Sequence, residues 1–255
     1  MKLIDTHTHL YLHDFADDIG DVLRRAFIEG VENFYLPSID SHETDEMLLL
    51  EKKYPNKCFA MMGLHPCSVK ENYKTELLHV HDFLAKRNFI AIGEVGLDFY
   101  WDTTFTSQQY ECFHQQIEWA LQYNLPLVIH TRNAMQPTID TVKEYTHKGL
   151  NGIFHCFSGS YQNAVDIINA GFLLGIGGVV TYKNAGVAEA IKDIDLSYIV
   201  LETDSPYLTP VPFRGKRNES SYIKYVVKKL AEIKNISEEE VAAVTTANAE
   251  KIFRK

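Results

Sequence analysis

Eight short apolar runs, each followed by a helical pattern, constrain this chain more than any other feature of its sequence. The runs are Leu3–Thr6, Asn33–Leu36, Cys58–Met62, Ile90–Ile92, Leu127–Ile129, Gly152–Phe154, Phe172–Leu174 and Ile199–Leu201. Helical spacing fills the gaps, for instance over Asp17–Glu29, Ser107–Tyr123 and Asn163–Asn169, the last stopped by Gly171. Strands alternating with helices read as a parallel sheet with helical crossovers. Eight such units in 255 residues have the size of an α/β fold of one kind, a single-domain (β/α)8 TIM barrel over residues 1–255. The alternative, an open doubly wound sheet, would want a glycine-rich phosphate turn after the first strand. This chain has His7-Thr8-His9 there instead. A barrel makes a further claim: its chemistry sits at the C-terminal ends of the strands, on one face.

At 45% hydrophobic, the chain can bury a full core, and no apolar run approaches the length of a membrane span. The first strand-like run starts at Leu3, which leaves no room for a signal peptide before it, so a cytoplasmic location is expected. The four cysteines, Cys58, Cys67, Cys112 and Cys156, form no CxxC pair and read as free thiols. A net charge of −9 argues against a generic coat-binder of nucleic acid. It leaves room for a nuclease whose few phosphate contacts are local.

The strand ends carry the chemistry. His7 and His9 follow the first run, and residues two apart on a strand point to the same side. Glu94 follows the fourth run, His130 and His155 close the fifth and sixth, and Asp204 comes just after the eighth. Any one of them reads as well as a satisfied core group or a buried ion pair. Six metal-ligand types, all at C-terminal strand ends, are hard to explain as core filling. Four imidazoles and two carboxylates suit Zn²⁺, Mn²⁺ or a similar ion, with Mg²⁺ less favoured. Six ligands exceed one tetrahedral catalytic zinc. They fit two divalent metal ions about 3.5–4 Å apart, bridged by a carboxylate and a hydroxide. Two divalent cations against two carboxylates and a hydroxide leave the site positive by about one charge, which favours an anionic substrate such as a phosphodiester.

These residues lie in segments that resemble the TatD-type metal-dependent deoxyribonucleases of the amidohydrolase-like superfamily. The resemblance runs through Asp5-Thr6-His7-Thr8-His9-Leu10, Gly63-Leu64-His65-Pro66, Ile92-Gly93-Glu94-Val95-Gly96-Leu97-Asp98 and Ile129-His130-Thr131-Arg132. It continues through His155-Cys156-Phe157-Ser158-Gly159, Leu201-Glu202-Thr203-Asp204-Ser205-Pro206 and Arg214-Gly215-Lys216-Arg217-Asn218-Glu219. The motifs occur in order over nearly the whole chain. The resemblance implies a barrel, two divalent metals held by the same six residues, and hydrolysis of DNA phosphodiesters, often from a 3′ end. Where many amidases of the superfamily use a carboxylated lysine, Glu94 stands at the bridging position.

Further residues are candidates for substrate contact. His65 ends the third strand unit and could touch a phosphate, or be a turn residue fixed by Pro66. Arg132 could clamp phosphate bidentately, or pair with a surface carboxylate. Arg214, Lys216 and Arg217 form the densest basic patch and could meet a DNA backbone. The bland reading of that patch is a solvated loop, with Asn218 capping the next helix. Phe99, Tyr100 and Trp101 could stack an unpaired base, or cover the barrel mouth. The expected reaction is attack by a metal-activated hydroxide, with Glu94 and Asp204 catalytic and Asp204 taking the proton. Single-stranded or frayed DNA is the expected partner. Two competing readings are a two-metal ester or amide hydrolase acting on a lactone or aminoacyl substrate, and a metal-binding interaction scaffold.

Overall fold

The structure is a computed structural model that describes residues 1–253. Its strands are β1 (Leu3–Asp5), β2 (Val31–Leu36), β3 (Cys58–Ala60), β4 (Ile92–Asp98), β5 (Leu127–Arg132), β6 (Gly152–Phe154), β7 (Phe172–Ile176) and β8 (Ile199–Leu201). The helices are α1 (Ile19–Ile28), α2 (Thr44–Lys53), α3 (Tyr73–Lys86), α4 (Thr106–Tyr123), α5 (Met135–Lys143), α6 (Tyr161–Asn169), α7 (Val187–Ala190), α8 (Ile223–Lys234) and α9 (Glu238–Ile252). The expected helices thus form within two residues of their predicted bounds. Local chemistry fixes their ends: Ser160 and Asn163 make a reciprocal capping box on α6, and Asn124 ends α4 in the left-handed region at φ 51°.

Every strand pairing is parallel, in sequence order, within β1–β3 and within β4–β8. Two seams close the ring. Ile90 N donates to Ala60 O, Met62 N to Ala91 O and Gly93 N to Met62 O, which joins β3 to β4. Thr6 N donates to Leu201 O at 3.0 Å, which joins β8 to β1. The result is the expected (β/α)8 barrel. Its interior is lined by Ile4, Tyr35, Met61, Ala91, Val128, Ile153 and Val200, packed as one cluster with Ala249 and Phe253. Phe253 stacks on Tyr35 at 3.9 Å, so the end of α9 plugs the ring. Among the described residues no helix is long and apolar enough to cross a membrane.

Six of the eight strands differ from their expected bounds; β5 runs on through His130 to Arg132, and the shifts of β1 and β4 matter most for the site. β1 stops at Asp5, so His7 and His9 lie in irregular backbone rather than on an alternating strand. They are held by neighbours instead: Thr8 N donates to Tyr35 O, Asp204 N to His7 O and His9 N to Ser205 O. β4 runs on to Asp98, so Glu94 sits inside the strand rather than just past its end. Gly96 makes that extension possible. Its φ is +138°, and a Cβ there would lie 2.0 Å from the His130 carbonyl oxygen, so only glycine lets β4 and β5 approach this closely. The register then sets Gly96 beside His130 and Asp98 beside Arg132.

Candidate metal centre

Glu94 is the hub of the site. It is 2% exposed, and its two carboxylate oxygens face different partners. Oε2 lies 3.0 Å from His7 Nε2 and 3.6 Å from His9 Nε2. Oε1 lies 2.8 Å from His155 Nε2, 2.9 Å from His130 Nδ1 and 3.2 Å from His65 Nε2. Asp204 joins the first set, with Oδ1 3.7 Å from His7 Nε2 and 3.6 Å from His9 Nε2. The six residues expected from strand position therefore converge, two from within β4 and β5 and four from the segments just after β1, β6 and β8. Within this cluster, donor atoms close enough to share an ion form three groups: His7, His155 and Asp204; His7, His9 and Glu94; and His65, Glu94 and His130.

The surrounding hydrogen bonds decide which nitrogens can bind a cation. A neutral imidazole offers a lone pair on one nitrogen only, and the partner of the other nitrogen selects it. Tyr11 Oη donates to Pro37 O, so it accepts from His9 Nδ1–H at 2.9 Å and leaves His9 Nε2 free. Asp98 Oδ2 accepts from His130 Nε2–H at 2.9 Å and leaves Nδ1 facing Glu94. Glu202 Oε1, fixed by Cys156 N at 2.6 Å, stands 3.5 Å from His155 Nδ1. His65 is the reverse case. Its Nδ1 accepts from Cys67 N at 3.0 Å, so its Nε2 carries the proton and donates to Glu94. His65 is proximal enough to be counted with a metal group, yet this tautomer makes it a donor to an anion.

The charges agree with a cation-requiring site. Burial pushes the Glu94 carboxyl up, but His155, His65, His7 and the His130 hydrogen bond outweigh it and hold it well below the usual range. Burial likewise opposes the Asp204 carboxylate, and the His9 hydrogen bond and nearby imidazoles still lower it. Burial disfavours a charged His9, yet hydrogen bonds to Asp204 and Glu94 lift it to about 9. His155 is raised well above its ordinary value by Glu94 and Glu202 against the same burial. His7 moves the other way, lowered by burial and by the charge of His155, whose ring stacks on it at 3.8 Å. The stacked rings cannot both be protonated cheaply, so the charge favours His155 and His7 stays neutral. His7 Nδ1 is buried without a hydrogen-bond partner, and His155 Nδ1 has only the Glu202 carboxylate at 3.5 Å. Imidazole nitrogens converging on one buried and one half-buried carboxylate fit divalent cations of the nitrogen-and-oxygen-binding kind.

The cluster opens into a cavity of about 800 Å³ lined by His9, His65, Glu94, Trp101, Arg132 and Asp204, among others. Arg132 is exposed and stacks on Tyr100 at 3.8 Å. Arg214 and Arg217 do not line the cavity. Arg214 lies over the Tyr182 ring at 4.4 Å. Arg217 is spoken for: NH2 meets Asp18 Oδ2 at 2.6 Å, and the guanidinium covers Phe15. Asn218 is not the cap of the next helical turn; its Oδ1 accepts from Glu219 N, and its Nδ2 donates to Thr203 O and Tyr207 O and fastens the basic loop to the Asp204 turn. The positioning roles of Asp98, Glu202 and Tyr11 were not assigned from sequence. A signal existed for two of them. Asp98 is four residues from Glu94 and Glu202 two from Asp204, spacings that share a face of extended chain. Asp98→Asn should cost about 10–100-fold in metal affinity or turnover, because an amide can present its NH₂ to His130 and disfavour the ligand tautomer. Metal titration of that variant checks it; an unchanged affinity would show that Asp98 does not set the tautomer.

The sequence model of the family described as TatD related DNase matches residues 4–254. An uncharacterized metal-dependent hydrolase, YabD, of Bacillus subtilis is 38% identical over 253 residues, covering 99% of each chain. The crystal structure of YJJV, a TatD homologue from Escherichia coli, superposes with a TM-score of 0.93 at 27% identity, covering 99% of this chain and 98% of that one. The phosphotriesterase homology protein of E. coli, solved with phosphate in its active site, has the same fold, with a TM-score of 0.72 at 14% identity, over 99% of this chain and 98% of that one.

Proposed function

Because this chain belongs to the TatD related DNase family, a family of metal-dependent hydrolases, we propose that it is a two-metal phosphodiesterase that shortens DNA from an unpaired 3′ end. The observation that carries this reading is the division of Glu94: one oxygen faces His7 and His9, the other His130 and His155. A carboxylate shared by two nitrogen sets is the arrangement that would hold two cations side by side. His7, His9 and Asp204 would hold one, His130 and His155 the other, with Glu94 common to both. Bound there, the cations would acidify a water and draw charge from a phosphoryl oxygen.

The chain's own groups supply the rest. Asp204 stays ionised because His9 and its neighbours depress it, so an Oδ atom can orient the attacking water and take its proton. His65 carries its proton on Nε2, at the cavity wall, where it can donate to a phosphoryl oxygen or to the departing alkoxide. Phosphate in the active site of the E. coli phosphotriesterase homology protein supports an anionic occupant for a cavity of this fold. The test is metal-dependent turnover of 5′-labelled single- and double-stranded oligonucleotides. A ladder of products shortened stepwise from the 3′ end is expected, faster on the single strand. Intact oligonucleotides alongside turnover of neutral lactones or amides would replace the phosphodiester with an acyl substrate.

A further inference from the structure

One corner of the cavity contains no metal-ligand residue and is built unlike the rest of the surface. Trp101 is 67% exposed and Tyr100 51% exposed, and their rings meet edge-on at 4.9 Å. The Arg132 guanidinium lies 3.8 Å from the Tyr100 ring centre and 5.0 Å from that of Trp101. Among the described arginines, Arg24, Arg25, Arg87 and Arg217 pair with carboxylates, whereas Arg132 and Arg214 lie against aromatic faces, and of these two only Arg132 lines the cavity. A stacked guanidinium keeps its in-plane N–H donors free for an anion. On a chain of net charge −9, an arginine left without an acid beside a buried carboxylate centre needs a reason.

The corner is also tied rigidly to the centre. Tyr100 N and Trp101 N both donate to Asp98 Oδ1, while Asp98 Oδ2 holds His130. Gln109 brackets Asp98 by accepting from its N and donating to its O. Lys70 pairs with Asp102 at 2.7 Å and anchors the next residue. One carboxylate therefore fixes a metal-facing imidazole and the backbone of an exposed indole.

We propose that Trp101 is the stacking platform for one unpaired nucleobase beside the scissile bond, with Arg132 contacting the adjoining phosphate. The proposal rests on the phosphodiesterase reading and names what that site selects. A base in a duplex has both faces stacked and none to offer; a frayed or single-stranded base has a free face for the indole. Selection for unpaired ends then comes from the platform, and the chain needs no extended basic surface.

The chain has two tryptophans, and the other, Trp119, is buried away from ligand, so quenching of indole fluorescence by a bound base reports this corner. Metal-loaded wild-type protein is titrated with a single-stranded trinucleotide whose linkages are non-hydrolysable methylene-phosphonates. Saturable quenching is expected, and it disappears when Trp101→Phe is introduced. In the active protein, Trp101→Ala lowers kcat/KM on a single strand about tenfold, mostly through KM, within the roughly 5–150-fold that stacking one base is worth. Trp101→Phe recovers most of this loss. On a strand whose terminal residue is abasic, wild type and Trp101→Ala converge. Absence of quenching, or an equal loss on abasic and base-bearing strands, overturns the platform. Quenching without cleavage by the wild type would keep the platform and sink the phosphodiesterase reading; cleavage without quenching does the reverse.

Discussion

Glu94→Gln lowers turnover by at least about 10³-fold and releases metal, while the barrel stays folded. The expected size follows from what one charged group aimed at a reacting centre is worth, about 10²–10³-fold, with the loss of a shared ligand added. The substitution keeps the shape of the side chain and removes its charge. Glutamine can turn its oxygen to the His7–His9 side or to the His130–His155 side, but one of the two sets must then face an NH₂ group. That set loses its carboxylate and gains a donor where a cation should sit. The core around the residue is undisturbed, because Glu94 is enclosed by imidazoles and held through backbone hydrogen bonds, such as its N–H to Ser38 O at 3.1 Å. Metal content per chain, turnover on a single-stranded oligonucleotide and the melting temperature are measured together. A variant with full metal content and turnover within tenfold of wild type would show that Glu94 joins nothing.

That outcome depends on a geometry the sequence could not display. The ring of strands was legible because each apolar run is short, bounded and separated by a helical pattern, and such runs have one economical arrangement. The four candidate ligand histidines were legible because each stands at or just past the end of a buried run. What could not be read is how strand length and long-range pairing re-aim a side chain. Glu94 has two faces because β4 continues past it, and that continuation depends on Gly96 lying against the His130 carbonyl, a partner in another strand. His65 is a donor because of the Cys67 amide, a consequence of turn geometry rather than residue type. Arg217 looked available because it sits in a basic run; its acid, Asp18, lies 199 positions away and is brought to it only by the fold, while nearby Glu219 pairs with Arg25.

Metal removal has the other large effect, on stability as well as activity, and its pH dependence is distinctive. With metal at a hundred times its dissociation constant, each site contributes about 2.7 kcal/mol, so two contribute about 5 kcal/mol. For a chain of this size, chelation then lowers the melting temperature by on the order of 10 °C. In the stripped protein, protons replace the cations: His9 holds one up to about pH 9, against an ordinary value of 6.5, and His155 is raised too. A raised histidine contributes stability that is fully present below pH 6.5 and is lost as pH climbs through about 9. Glu94 and Asp204 are lowered, so their contribution changes only below the ordinary carboxylate range and is constant across that window. The loaded protein behaves oppositely, because its imidazoles must be neutral to bind and protons compete with metal as pH falls. The gap in melting temperature between loaded and chelated protein therefore widens steadily from pH 6 to pH 9. Chelation at pH 8 also draws protons from the buffer. A gap that stays flat or narrows with pH, or chelation without proton uptake, would mean that the imidazoles around Glu94 do not exchange protons for cations.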